Sequence, residues 1–335
     1  GKLITSVLSA RQTDGMVSRD SLGIDIKFEE DSIKNYKIVR EGDYVIHLRS
    51  FQGGFAFSDR DGVCSPAYTI LSPTEQVSYG FLKPFFMSNK FINSLRLVTY
   101  GIRDGKSISV EEWLKLNTHL PSLKEQQKIS SFLSLLEDRI ATQIKIIEDL
   151  KKLKSAISKT IFTGNKFECH QTTLGDVADI YQPQTIPTSL LCEENEYNVY
   201  GANGIIGKYS KYNHETSQIC IACRGNSCGA VNYSTPKSWI TGNAMVINTD
   251  GKDVDKRYLY HLLCTINFTP LISGSGQPQI VRSPLEKMKI RLPNLIIQRN
   301  ISKVLDDIES KIEIEEEICK QFMKQKSGLL SQMFI

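Results

Sequence analysis

The stretch LPSLKEQQKISSFLSLLEDRI at residues 120–140 returns as LPNLIIQRNISKVLDDIESKI at residues 292–312. A shift of 172 residues lays 120–163 over 292–335 without a gap, and fourteen of the paired positions are identical. A match of that length is an internal duplication, and it constrains the fold more than any other feature of the chain. Within each copy the apolar residues step by three and four. They are Leu133, Leu136, Ile140, Ile144, Ile147, Leu150, Leu153, Ile157 and Ile161, then Leu305, Ile308, Ile312, Cys319, Phe322, Leu329 and Met333. That is the period of a helix with one buried stripe. Proline occurs only in the opening Leu-Pro of each copy, and Gly164 suits a C-cap after the first.

Each copy predicts a helix of about forty residues, roughly 55–60 Å long at 1.5 Å per residue. A narrow apolar stripe on so long a helix needs a partner, and the other copy can supply it. The chain runs globular region, helix, globular region, helix, so a second helix packed along the first returns toward the first region. The expected fold class is α/β: two similar mixed α/β domains joined by two long helices in an antiparallel coiled coil, an internal repeat with pseudo-two-fold symmetry. The boundaries expected are 1–118 for the first domain, 119–164 for the first helix, 165–290 for the second domain and 291–335 for the second helix.

The 335 residues suit two domains with a core each. No apolar run approaches the eighteen or so residues of a membrane span, and no signal segment opens the chain, so the cytoplasm is the expected location. Gly1 in place of Met fits a chain that starts inside a longer one. The eight cysteines are sparse and irregular, which fits a reducing compartment. Cys220, Cys223 and Cys228 cluster, but a zinc ribbon needs a second ligand pair and only Cys264 beside His261 follows, so buried reduced thiols are expected and no metal. A net charge of +4 permits nucleic acid without demanding it. The segment before residue 120 is rich in Lys and Arg, whereas residues 313–317 read EIEEE, so a polyanion would avoid the last segment.

The second globular region has short β-rich pieces punctuated by Gly: EYNVYGANGIIGKY, SQICIACRGNSCGAVNY and WITGNAMVINTD, then DKRYLYHLLCTI at helical spacing and the small-residue loop SGSGQPQI. The first region repeats this grammar. GDYVIHLRSFQGG parallels SQICIACRGNSCG, VCSPAYTIL parallels ITGNAMVI, YGFLKPFFMSNKFINSL parallels the helix near 258–265, and YGIRDGKSIS stands where SGSGQPQI stands. The opening GKLI aligns with GDVA at 175–178, so the first domain is expected to lack about ten residues with which the second begins.

Catalytic motifs are scarce. The sequence holds no N-P-P-Y or D-P-P-Y tetrapeptide, no glycine-rich strand-to-helix turn for S-adenosylmethionine and no G-x-x-x-x-G-K-[ST] loop. His47, His119, His170, His214 and His261 are scattered, and RDGK at 103–106 offers one carboxylate where a nuclease metal needs two. Recognition chemistry is better represented. Arg49 and Arg224 lie in matching loops at strand ends, where a guanidinium grips a guanine edge or a phosphate. Ser50, Gln52 and Asn226 share those loops. Ser273, Ser275, Gln277 and Gln279 can hydrogen-bond adenine edges or phosphate oxygens, with Arg103 and Lys106 in the parallel loop. Asn203, Lys208 and Tyr209 add a third candidate group.

The twice-written LP.L..Q..I...L...E..I helix, with YGANGIIGKY, GNSCG and SGSGQPQI between the copies, resembles the specificity subunit of type I restriction-modification systems over essentially the whole chain. The first domain departs from the pattern by its missing start and by YGIRDGKSIS. The resemblance implies that each domain reads one half of a split duplex-DNA target, while the helices set the spacer and dock methyltransferase subunits, two of them. Restriction subunits join through the complex. It also implies no catalysis by this chain: S-adenosylmethionine for methylation and ATP with Mg²⁺ for cleavage belong to partner subunits. The rival expectation is a coiled-coil scaffold whose two domains bind proteins.

Overall fold

The structure, a computed structural model, describes residues 6–11, 14–22, 35–47, 54–100, 107–164, 167–274 and 276–333. The chain forms two compact units, one of residues 1–144 with 317–335 and the other of residues 145–316. Each unit therefore holds one globular region and a half of each long helix.

In the 145–316 unit a four-stranded antiparallel sheet runs in the order Asp179–Tyr181, Ala244–Asn248, Ile219–Ala222, Val231–Tyr233. Its central strands are buried on both faces, so the period-two alternation of side chains divides them between two cores. Ile219, Ile221, Met245 and Ile247 face the helix Lys256–Leu263, with Leu259 and Leu263. Cys220, Ala244 and Val246 face the other way, onto Tyr200 and Ile240 of a second sheet ordered Gly204–Tyr209, Tyr197–Gly201, Trp239–Ile240. The run ICIA thus reads as continuously apolar because both of its faces are covered.

The 1–144 unit repeats the plan with shorter strands. Phe55–Phe57, Tyr44–Ile46 and Thr69–Leu71 form an antiparallel sheet. Tyr44, Ile46 and Phe55 face an aromatic cluster with Phe86 and Phe91, while Val45 and Ala56 face Leu8, Met16, Val39 and Cys64. Phe55 packs in tilted contacts on Phe86 at 4.6 Å and on Trp113 at 5.2 Å between centroids. The stretch expected to parallel the helix of the other unit is split into Leu82–Phe86 and Asn89–Ser94. Ser88 is the reason: its backbone is extended and its hydroxyl accepts the Phe91 amide at 3.2 Å, which starts a new helix.

The duplicated segments form helices of 41 residues, Leu123–Thr163, and 39 residues, Leu295–Met333. Their inward positions step 133, 136, 140, 143, 147, 150, 154, 157, 161 in the first and 305, 308, 312, 315, 319, 322, 326, 329, 333 in the second, each position buried or half-buried. The two series match at an offset of 172 and keep the 3.5-residue period of a coiled-coil seam. Two residues expected in the stripe are therefore outside it: Ile144 is 40% exposed and Leu153 is 49% exposed. The seam passes through Gln143 and Lys154 instead. In each unit the two helix halves run antiparallel: Glu137 meets Lys326 and Arg139 meets Phe322 in one, and Lys151 meets Glu316 and Lys154 meets Glu309 in the other.

Each helix is tied to its globular region by the same buried glutamine. Gln126 accepts the Ser78 amide at 2.9 Å and donates to the Gln76 and Pro121 carbonyls at 2.9 Å. Its counterpart Gln298 accepts the Asp255 amide at 2.9 Å and donates to the Pro293 carbonyl at 2.8 Å. The Leu-Pro-x-Leu-x-x-Gln signature is thus a joint. In each copy the proline carbonyl, just ahead of the helix, accepts from the glutamine, whose oxygen takes a backbone amide of the globular region.

Candidate nucleic-acid interface

The strand Ile219–Ala222 ends at a loop that the backbone holds in place from two sides. The Cys223 amide donates to Asn243 O at 3.0 Å, while the Ile280 amide donates to Cys223 O at 3.0 Å. The Gly225 amide donates to Pro278 O at 3.0 Å, and Arg224 bridges Gln279 in antiparallel fashion. Ser273 and Gln279 exchange both backbone hydrogen bonds at 2.8 Å, closing 273–279 as a short ribbon against the Arg224 loop. Gly274 is required there: its φ is +95°, and a Cβ would sit 2.5 Å from Gln277 O. The structure therefore brings Arg224, Asn226, Ser273, Gln277 and Gln279 to one edge, all exposed. Ser275 lies outside the described residues.

A further segment joins this edge that the sequence did not mark. Gln182 donates to the Gly242 carbonyl and to Cys223 Sγ, each at 3.1 Å, and Thr185 Oγ1 accepts the Gly242 amide at 3.2 Å. Trp239 Nε1 donates to Gln184 O at 3.1 Å. The approach needs Gly242, whose Cβ would meet Pro183 O at 2.8 Å. Gln184, Thr185 and Asn243 are exposed beside the loop pair. The one sequence sign is QPQTIP itself, a polar loop stiffened by two prolines but separated from its partners by forty residues or more.

Asn203, Lys208 and Tyr209 form a separate group on the hairpin Tyr197–Gly201 with Gly204–Tyr209. Asn203 is exposed in the two-residue turn. Lys208 accepts the Cys192 amide through its carbonyl at 3.0 Å, and Tyr209 packs edge-on against Trp239 at 5.4 Å. In the first unit Arg49, Ser50, Gln52, Arg103 and Lys106 lie outside the described residues. Their flanks are placed: the His47 amide donates to Gly54 O at 2.9 Å, and Tyr100 pairs with Ser107.

Cys220 and Cys223 are buried free thiols, and burial pushes Cys220 well above the ordinary thiol range. The histidines hold one surprise. His261, fully buried, bonds Asp306 at 2.7 Å through Nε2, and with Glu309 the ligand atoms lie within 4.8 Å of one another. These carboxylates already have cations: Arg257 contacts Asp306 at 2.6 Å and Glu309 at 2.5 Å, and Lys154 contacts Glu309 at 2.9 Å. Burial pulls His261 below its usual pKa, against the upward pull of Asp306. The cluster is an ionic lock fastening Lys256–Leu263 to the long helices within its unit. Forty-five residues separate His261 from Asp306, so spacing alone could not reveal it. No helix among the described residues is long and apolar enough to cross a membrane.

A frame of paired helices joined twice to a loop-bearing α/β unit defines a class in which one recognition module has been duplicated. The sequence profile described as the type I restriction modification DNA specificity domain matches twice, at residues 8–152 and 168–322, and the chain belongs to that family. A putative type I restriction enzyme specificity subunit of Haemophilus influenzae is 33% identical over 138 residues, 40% of this chain and 35% of that protein. The chain is thus matched to about a third of that relative's length. The MjaVIII specificity subunit of Methanocaldococcus jannaschii is 24% identical over 352 aligned positions, covering 92% of this chain and 82% of that one. Among solved structures, the type I restriction-modification S subunit from M. genitalium superposes with a TM-score of 0.66 at 15% identity, covering 92% of each chain. A chain from a study of type I R-M complex assembly and conformational transition superposes at 0.55 and 20% identity, covering 89% of this chain and 83% of that one. At these identities the structural likeness establishes the fold.

Proposed function

We propose that the chain is the sequence-reading subunit of a type I restriction-modification complex, each unit contacting one half of a bipartite duplex target. The observation that carries this reading is the loop pair at the end of Ile219–Ala222. A guanidinium, two glutamines, an asparagine and a serine share one exposed edge, on backbone bonded to the sheet. Arg224 suits the O6 and N7 acceptors of guanine, and Gln277, Gln279 and Asn226 suit the N6 and N7 of adenine. Gln184 and Asn243 extend the same polar edge. Lysines and arginines of both units place the domains on phosphates, a contribution that carries no sequence information.

In this reading the two long helices set the length of the unread spacer and dock two methyltransferase subunits, and restriction subunits join through that complex in the cytoplasm. The chain itself performs no chemistry. Methylation with S-adenosylmethionine and cleavage with ATP and Mg²⁺ reside in the partner chains. The test is binding of the chain, assembled with its methyltransferase subunits, to a library of duplexes at graded salt. The expected result is affinity that falls steeply with ionic strength and selects one split motif. Equal retention of all duplexes overturns the assignment.

A further inference from the structure

Arg224 has a neighbouring segment on each side. On one side Gln279 stands opposite it in the antiparallel bridge, so the two side chains leave the same face. On the other, Ala244 pairs with Ala222 and the Cys223 amide donates to Asn243 O, a register that places Gly242 opposite Arg224. Glycine leaves that place empty, and the segment 183–185 fills it: a Cβ on Gly242 would sit 2.8 Å from Pro183 O and 2.9 Å from Thr185 Oγ1. The order across the edge is therefore the Gln184 segment, Arg224, Gln279. Neighbouring paired segments lie about 4.8 Å apart, so two steps span roughly 10 Å, the rise of about three base pairs.

The polar side chains of the 182–185 segment fall into two kinds. Gln182 uses its amide inside the fold, Nε2 donating at 3.1 Å to both Cys223 Sγ and the Gly242 carbonyl, and Thr185 Oγ1 accepts the Gly242 amide at 3.2 Å. Gln184 lies between these anchors. Its carbonyl accepts from Trp239 Nε1 at 3.1 Å, while its exposed side chain enters no hydrogen bond among the described residues. The same holds for the exposed side chains of Arg224 and Gln279, whose backbones are bonded to their neighbours. A glutamine held by its backbone with both amide atoms free meets the need of bidentate adenine recognition, an oxygen to accept from N6 and a nitrogen to donate to N7. A backbone fixed beforehand also lowers the ordering cost of binding.

We propose that Gln184 is a specificity-determining residue that reads an adenine in the half-site of the 145–316 unit. Its base pair lies next to the one read by Arg224, on the side away from the one read by Gln279. Gln182, Thr185 and Trp239 are positioning residues, which fix the backbone of Gln184 without touching a base. The assignment rests on the proposed function and deepens it by a residue, a base and an order.

The test uses the chain assembled with its methyltransferase subunits and selection from a randomised duplex library, read as base preference at every position of both half-sites. Gln184→Ala is expected to lower the preference for adenine at one position by about ten- to a hundredfold. That position adjoins the one relaxed by Arg224→Ala, and the rest stay unchanged. Gln184→Glu is expected to move the preference there from adenine to cytosine, whose N4 amino group donates to a carboxylate. Trp239→Phe keeps a ring, removes the bond to Gln184 O, and is expected to weaken the preference at the Gln184 position alone. Three results overturn the proposal. Gln184→Ala leaves every base preference intact; it weakens all sequences equally, as loss of a phosphate contact does; or the position it relaxes lies on the Gln279 side of the Arg224 position. Where Arg224→Ala and Gln279→Ala still relax their own positions, such a result removes Gln184 alone and leaves the DNA-reading function standing. If no variant changes any preference, both fall.

Discussion

Lys326 donates to Glu137 at 2.7 Å, and their counterparts in the other copy of the repeat, Lys154 and Glu309, make the same bond at 2.9 Å. Each helix supplies the acid from its first half and the lysine from its second, so an antiparallel pair of identical segments makes the bond twice. A third partner joins each site: Lys83 reaches Glu137 at 2.9 Å, and Tyr260, at the matching place in its own unit, donates to Glu309 at 3.1 Å. The ion pairs therefore clamp three elements in each unit. Equivalence also gives a measurable expectation. Lys154→Met and Lys326→Met should destabilise by similar amounts, about 1 kcal/mol each once solvent screening is allowed for. Denaturant titration of the two variants checks this, and a loss confined to one of them would contradict the equivalence.

The glutamine joints are more deeply buried and carry a larger expected cost. Gln126→Ala leaves the Ser78 amide and the Gln76 and Pro121 carbonyls without that partner, and Gln298→Ala does the same to Asp255 N and Pro293 O. A backbone group left unpaired costs about 1 kcal/mol where water can partly reach it, so a loss of about 3 kcal/mol is expected at Gln126, which serves three groups, and about 2 kcal/mol at Gln298, which serves two. Glutamate at the same position would set a buried carboxylate against carbonyl oxygens, so its stability should be no higher than that of alanine at neutral pH and should recover on acidification, when the protonated acid can donate.

Stability should decline on acidification in two stages. Burial holds His261 below its ordinary pKa of about 6.5, so the unfolded chain takes up a proton there before the folded chain does. That contribution is complete above the unfolded value and is lost as pH falls from there through the depressed folded one. For Glu309 and Glu137 burial raises the carboxyl. The bonds from Lys154 and Arg257, and from Lys326 and Lys83, more than reverse it. Their stabilisation is present above the ordinary glutamate value, about 4.3, and fades as pH drops through the lowered folded ones. Thermal unfolding followed from pH 8 to 3 should show a decline beginning near neutrality, and His261→Gln should remove its upper stage.

At the loop edge, Arg224→Ala and Gln277→Ala should each weaken recognition of the second half-site by about 1–3 kcal/mol and leave the first half-site unchanged. Gly274→Ala should do the same through geometry, because a Cβ there collides with Gln277 O and forces the ribbon open. Melting curves separate loss of recognition from loss of fold. An unaltered methylation pattern in all three variants would show that recognition lies elsewhere.

The frame was legible in the sequence because duplication writes its geometry twice. Helix lengths, the antiparallel return and the parallel between GDYVIHLRS and SQICIACRG all follow from pattern. The seam was misread at Ile144 and Leu153, since apolar residues adjacent to a 3.5-residue seam fit a 3.6-residue stripe equally well. Gln143 could not be placed by hydrophobicity at all. The loop edge was half legible: Arg224 and Gln277 stand out as recognition chemistry. Gln182, Gln184 and Thr185 reach it only through contacts with Gly242, Cys223 and Trp239 that are distant in sequence. The joint glutamines were visible as a repeated letter, but nothing local says that a glutamine in a helix is bonded to a domain.

In the proposed function the length of the paired helices sets the unread spacer between the two half-sites. Removing residues 143–149 and 315–321 together deletes the same seven-residue block from both copies and keeps the seam in phase. The helices shorten by about 10 Å, the rise of seven residues, which corresponds to about 3 base pairs of duplex. The decisive measurement is sequencing of methylated positions in DNA from cells carrying the complete system with the intact or the shortened chain. The expected result is the same two half-sites in both, with the unread spacer about 3 base pairs shorter in the second. Altered half-sites with an unchanged spacer, or a single uninterrupted motif, would contradict it.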